Sequence, residues 1–181
     1  MRWRDRGDAF SAFALLLGML LGASGEAGAG QAWSARAHLQ LAAQAADAWA
    51  EDARLVWLEN DAPVDTSGTA SAWGFLYYSP GLGAMRSWSI RNGKIELAAD
   101  HAVRVTAPAL RQDWLDSSRI IAGALSEARR AGAGALESLV LSCGVFHKEV
   151  AWVAVFATSD STKLYVVVDA TGGDVVRSWR G

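Results

Sequence analysis

The sequence predicts an α+β protein built as two tandem repeats, each a helix packed on a small antiparallel β-sheet. Two observations predict it. A helical stretch followed by strand-length apolar runs occurs twice along the chain, and each half ends in a glycine-centred hairpin signal, at Asn92-Gly93 and at Gly172-Gly173. A fixed offset of 79 residues then carries Trp73 onto Trp152 and Gly93 onto Gly172 without a gap, with Tyr77 meeting Phe156 and Met85 meeting Leu164 in between. The expected organisation is a leader over residues 1–29, a first repeat over 30–100, a linker over 101–113 and a second repeat over 114–181. Whether the two repeats share one continuous sheet or face each other is left open at this level.

The leader is legible from its three zones. Arg2, Arg4 and Arg6 precede an apolar run from Ala9 to Ala23, and only small residues and Glu26 follow to Gly30. A basic start, a short apolar centre and a small-residue exit are the marks of a secretory signal peptide, with cleavage expected after Ala29. The run is shorter than the roughly 20 apolar residues a membrane-spanning helix needs. The expected location is therefore extracytoplasmic, periplasmic or secreted, with membrane contact only through an uncleaved leader.

The first helix is expected over Ala35–Ala53, where Ala35, Leu39, Ala42, Ala46, Trp49 and Ala53 recur at spacings of four and three on one stripe. Strands follow at Leu55–Leu58, Ala72–Ser79, Met85–Arg91 and Lys94–Leu97, separated by the turn-rich Asn60–Gly68 and by Pro80–Gly83. Asn-Gly takes positive φ at little cost, so Asn92-Gly93 should join the last two as a two-residue hairpin. In the second half, Asp116-Ser117-Ser118 supplies helix-capping chemistry ahead of Ile120, Ile121, Ala124, Leu125 and Ala128, and Gly132 and Gly134 end that helix. Strands are then expected at Leu136–Cys143, Glu149–Thr158, Lys163–Asp169 and Asp174–Trp179.

Composition excludes several function classes. The 181 residues are 51% apolar, too many for a disordered chain. Seventeen basic residues against nineteen acidic ones leave a formal charge of −2, without the basic footprint of a nucleic-acid binder. One cysteine makes neither an internal disulfide nor a multi-thiolate zinc site.

Catalytic patterns are missing too. No Gly-x-Ser-x-Gly elbow and no Walker-type phosphate loop occurs. Cys143 and His147 flank Gly144, so they are expected on either side of a turn, with Cys143 a small buried hydrophobe. Asp100-His101 and His147-Lys148-Glu149 each offer two ligand types but no helical pair or larger cluster. Asp47, Glu51 and Asp52 are expected on the exposed side of the first helix. The reading is a non-enzyme with no cofactor and no metal.

The segment Tyr165-Val166-Val167-Val168-Asp169-Ala170-Thr171-Gly172-Gly173-Asp174-Val175 resembles the closing strand-turn-strand of the PepSY domain family, and Trp88–Ile95 is a degenerate counterpart of it. Trp114-Leu115-Asp116-Ser117-Ser118 is similar to the stretch before the second helix in tandem PepSY-like secreted proteins. The resemblance covers residues 35–181 and is specific near the C-terminus. It implies a non-catalytic extracytoplasmic module, with peptidase inhibition proposed for some members, and it brings no catalytic residues with it.

Tryptophan is the one unusual enrichment, nine in all. It serves both cores and binding hot spots. Trp49, Trp73 and Trp152 lie on expected core faces, whereas Trp33, Trp114 and Trp179 lie at segment edges and are the candidates for exposure and partner binding. The expected partner is a protein or peptide, possible classes being an extracytoplasmic protease to be inhibited or, alternatively, an envelope assembly in which the chain is structural.

Overall fold

The computed structural model describes residues 31–101 and 108–181. The expected leader and linker residues 102–107 lie outside the described residues. A single 3-10 turn, Ala35–His38, leads into α1 (Leu39–Trp49). Four strands follow: β1 (Arg54–Asn60), β2 (Ala72–Ser79), β3 (Ala84–Arg91) and β4 (Lys94–His101). The second half holds α2 (Ser117–Arg130), β5 (Leu136–Cys143), β6 (Val150–Ala157), β7 (Lys163–Asp169) and β8 (Val175–Arg180).

The expectation of an α+β chain of two tandem repeats, each a helix packed on a small sheet, is overturned. All eight strands form one antiparallel sheet in the order β4-β3-β2-β1-β5-β6-β7-β8. The join is the β1–β5 ladder, in which Trp57, Leu58 and Glu59 lie opposite Ser142, Leu141 and Val140. Two separate sheets would each leave an apolar strand edge with unpaired backbone groups, and each would have too small a core. Pairing β1 with β5 satisfies both edges and merges the cores. Leu58, Trp73, Phe75, Leu141, Trp152 and Phe156 accordingly belong to one buried cluster. Asn60 ends the join: its Oδ1 accepts from the Leu139 N–H at 2.7 Å, extending the ladder by a side chain.

Both helices lie on one face of this sheet. Ala42 and Ala46 of α1 and Ile120, Ile121, Ala124 and Ala128 of α2 are buried in the same cluster as the strand residues. Alanines at the contact let helix and sheet approach closely. α1 is shorter than its apolar stripe suggests, because Ala50 is already extended (φ −157°, ψ 127°). Beyond it the Asp52 carboxylate accepts from the Ser79 hydroxyl and the Gly81 N–H, both at 2.5 Å, which ties the chain to the β2–β3 turn. Asp52 is thus a turn anchor and not a surface acid of the helix.

The start of α2 holds the N-terminal segment in place. Asp116 caps α2 through the Ser117 N–H (2.8 Å) and also accepts from the Ser34 hydroxyl (2.6 Å) and the Arg36 N–H (3.1 Å). Gly68 passes directly over this cap. It has φ +76°, and a Cβ there would sit 2.6 Å from the Ser117 carbonyl oxygen, so only glycine fits. Asn92 and Gly93 take φ of +50° and +71°, as their hairpin requires.

Candidate interaction face

The sheet face away from the helices carries a second buried group, Ala151, Val153 and Val167, with Phe146, Val155, Tyr165 and Trp179 packed against it. Strand alternation places these residues opposite the main core: Leu164, Val166 and Val168 of β7 point to the helices, so Tyr165 and Val167 point away. Tyr165 and Trp179 are direct cross-strand partners on β7 and β8, and their rings stack at 5.1 Å and 9°. The Arg177 guanidinium lies 4.7 Å over the Trp179 ring and donates to the Phe146 carbonyl. Phe146 in turn meets Trp57 of β1 at 6.3 Å. An aromatic row therefore runs from the middle of the sheet to its β8 side. Tyr165 and Trp179 are half-buried, and Arg177 is exposed and meets no carboxylate among the described residues.

Glu59 is set into the same face beside Trp57. Its residue exposure is only 8%, and it lies opposite Gly74 on β2 and Val140 on β5. Burial pushes its carboxyl up to about 7; a hydrogen bond from Trp57 pulls it down, and the Asp61 charge pushes it up again.

The three tryptophans expected at the surface are not brought together. Trp114 is 3% exposed, which corrects that expectation. Its ring meets Trp152 edge-on at 5.8 Å and lies under the Arg36 guanidinium at 3.9 Å, while the Arg36 Nε donates to its carbonyl at 3.1 Å. A residue clamped inward this way offers no face to a partner. Trp33 is half-buried and bridges backbone to Ala70, with its ring 5.3 Å from His38. Of the three, only Trp179 belongs to the aromatic row.

The other candidate chemistries resolve into local structure. Cys143 Sγ donates to the Lys148 carbonyl at 3.5 Å, not to His147, and burial pushes its thiol up, with Glu149 adding to that. Gly144 and His147 close the turn between them through backbone atoms at 2.8 Å. His101 Nε2 lies 2.8 Å from Ser87 Oγ, a contact that sequence spacing did not reveal. Asp100 is turned instead to Arg86 at 3.4 Å; burial holds the His101 imidazole below its ordinary range, against a smaller upward pull from the Asp100 charge. No group of three or more His, Cys, Asp or Glu side chains able to hold a metal occurs among the described residues.

Tyr165, Phe146, Arg177 and Glu59 were missed as well. The alternation of β7 was a usable signal for Tyr165. What it lacked was the knowledge that both helices would occupy the other face.

No helix of the described residues is long and apolar enough to cross a membrane. No protein-family model and no curated protein matches the chain. The fold is similar to the crystal structure of a candidate lipoprotein from Clostridium difficile 630, with a TM-score of 0.57 at 12% identity, over 77% of this chain and 90% of that one.

Proposed function

We propose that the chain is an extracytoplasmic, non-catalytic binding protein whose helix-free sheet face takes a polypeptide partner. The observation that carries this is the Tyr165–Trp179–Arg177 stack, an aromatic pair with an exposed cation that meets no carboxylate among the described residues, at one end of an aromatic row. Rigid aromatic side chains and arginine bury much area with little loss of rotamer freedom, which is what binding hot spots use. The leader-like N-terminus, the PepSY-like closing hairpin and a fold shared with a candidate lipoprotein support the extracytoplasmic setting. The finer reading is that the partner is an extracytoplasmic protease whose cleft the face occludes.

The test is affinity capture from native envelope extract with the tagged full chain, beside Trp179→Ala and Arg177→Glu chains of matched circular dichroism. Enrichment of one protease by the parent chain, lost with both variants, is the expected result. A partner retained by both variants removes this face as the site, and a partner without hydrolytic activity removes protease modulation.

A further inference from the structure

The sheet has two edges among the described residues, β4 and β8, and they are unequally guarded. Four of the five large exposed apolar residues among those described lie on them: Ile95 (40%) and Leu97 (51%) on β4, Val175 and Val176 on β8. β8 is overlaid by α2. Its Ser178 hydroxyl donates to Glu127 at 2.5 Å, Arg180 donates to the Ala131 carbonyl at 2.7 Å, and Val175 lies 3.6 Å from where a Cβ on Gly123 would be. Among the described residues no comparable helix contact reaches β4, and six of its eight residues are exposed.

We infer that β4 is a strand-accepting edge, at which a short extended segment of a partner polypeptide adds to the sheet beside Leu97–His101. The inference rests on the polypeptide-binding reading above and names how such a partner is held. An edge strand specifies its own ligand, because a row of outward N–H and C=O groups is matched only by another extended backbone.

The register fixes where addition occurs. β4 pairs regularly with β3 from Leu97 opposite Ser89 to His101 opposite Met85, whereas Glu96 is bulged out between Ile95 and Leu97. The bulge is pinned by Arg91 Nε to Glu96 at 2.8 Å, and it carries charge at Glu96 itself, with Lys94 two residues before it. Bulges and charges deter open-ended edge pairing. They stop a long strand or a stack of copies but leave five regular residues beyond.

Within those five, Ala98 and Ala99 put no bulky side chain in the way. The far end is held rigid by Ser87–His101 (2.8 Å) and Arg86–Asp100 (3.4 Å). Order already present in the edge lowers the ordering cost of association. The Asp100 side chain remains 73% exposed, so the complementary segment is a short β-prone strand with a basic residue placed against Asp100.

The test is amide hydrogen exchange on the full chain with a synthetic probe, acetyl-Lys-Val-Thr-Val-Thr-Val-amide, and its counterpart N-methylated at each valine. The first peptide is expected to slow exchange of the 97–101 amides by about fivefold or more at saturation, and the methylated one to leave them unchanged. Residues 175–180 should be unaffected by either. Absence of protection at 97–101, or equal protection by both peptides, overturns the inference. Protection that rises with protein concentration alone, with a dimer mass in sedimentation, also overturns it and makes a second copy the occupant. A captured partner lost with Trp179→Ala while β4 stays unprotected removes the edge and leaves the face reading standing.

Discussion

Trp73 and Trp152 meet edge to face, 6.3 Å apart and at 75°, although β1 and β5 lie between their strands. Each indole N–H also reaches across to backbone: Trp73 to the Trp33 carbonyl at 2.9 Å, Trp152 to the Leu115 carbonyl at 2.8 Å. The pair thus joins the two halves of the sheet's core and pins the segment ahead of each helix. Both rings are fully buried.

Trp152→Ala should therefore cost about 3–5 kcal/mol, the range for emptying a large aromatic site. Trp152→Phe should cost less, about 1–3 kcal/mol, through the stranded Leu115 carbonyl and the smaller ring. Urea unfolding followed by circular dichroism separates the two. An alanine variant within 1 kcal/mol of the parent, well short of that range, would contradict the packing described.

Asp116 serves α2 and the Ser34–Arg36 segment at once. Asp116→Ala should cost about 2 kcal/mol, at the upper end for a lost cap, because the N-terminal segment loses its anchor too. Limited proteolysis should then cut near Trp33 sooner than in the parent. Ser34→Ala should reproduce the early cleavage with a smaller loss of stability.

Glu59 makes stability fall as pH rises toward and through neutrality. Its folded carboxyl is raised to about 7, above the unfolded carboxylate range, so between the two values the folded chain holds the extra proton. Its stability contribution is complete below the unfolded value and is lost as pH rises through 7. Integrated over the shift this is about 3 kcal/mol. Glu59→Gln should flatten the fall in melting temperature between pH 5 and 8 and be more stable than the parent at pH 8.

His38 acts in the opposite direction. It is buried, its Nε2 finds no hydrogen-bond partner among the described residues, and burial holds its imidazole below the ordinary range against a smaller upward pull from the Ala37 backbone. The neutral ring is the folded form. Its contribution is present above the ordinary value near 6.5 and is lost as pH falls toward the depressed folded one. His38→Phe should make the acid limb of the stability profile shallower. A profile unchanged between pH 4 and 6.5 would place the acid sensitivity elsewhere.

Trp179→Ala should leave the fold in place, since Trp179 is half-buried on an edge strand outside the main core. Its near-ultraviolet circular dichroism should lose the band of the Tyr165–Trp179 stack. Tyr165→Leu should lose the same band, and an unchanged spectrum in either variant would argue against the stacked geometry.

Much of the secondary structure was legible because strand and turn signals are local. β2, β5 and β7 run over Ala72–Ser79, Leu136–Cys143 and Lys163–Asp169, as their apolar runs and bounding turns predict. Trp73 and Trp152 are expected in the core from their equivalent positions under the 79-residue offset, and both are fully buried. The β1–β5 join was not legible, since nothing near Leu58 marks Leu141 as its partner. Trp114 was misplaced for a similar reason: what buries it is Arg36, far away in sequence. The Ser87–His101 contact depends on the bulge at Glu96, which shifts β4 by one residue in a way no pattern of apolar positions records.

The β1–β5 join unites residues more than eighty positions apart, whereas every other ladder except this one links strands that follow each other closely. During synthesis, β1 to β4 can pair as a meander long before Leu141 exists. Over that interval Leu58 and its neighbours form a bare apolar edge, open to any extended chain nearby. The nascent half-sheet is thus a natural client for a holdase, and slowing elongation between codons 61 and 140 should lengthen its vulnerability to aggregation.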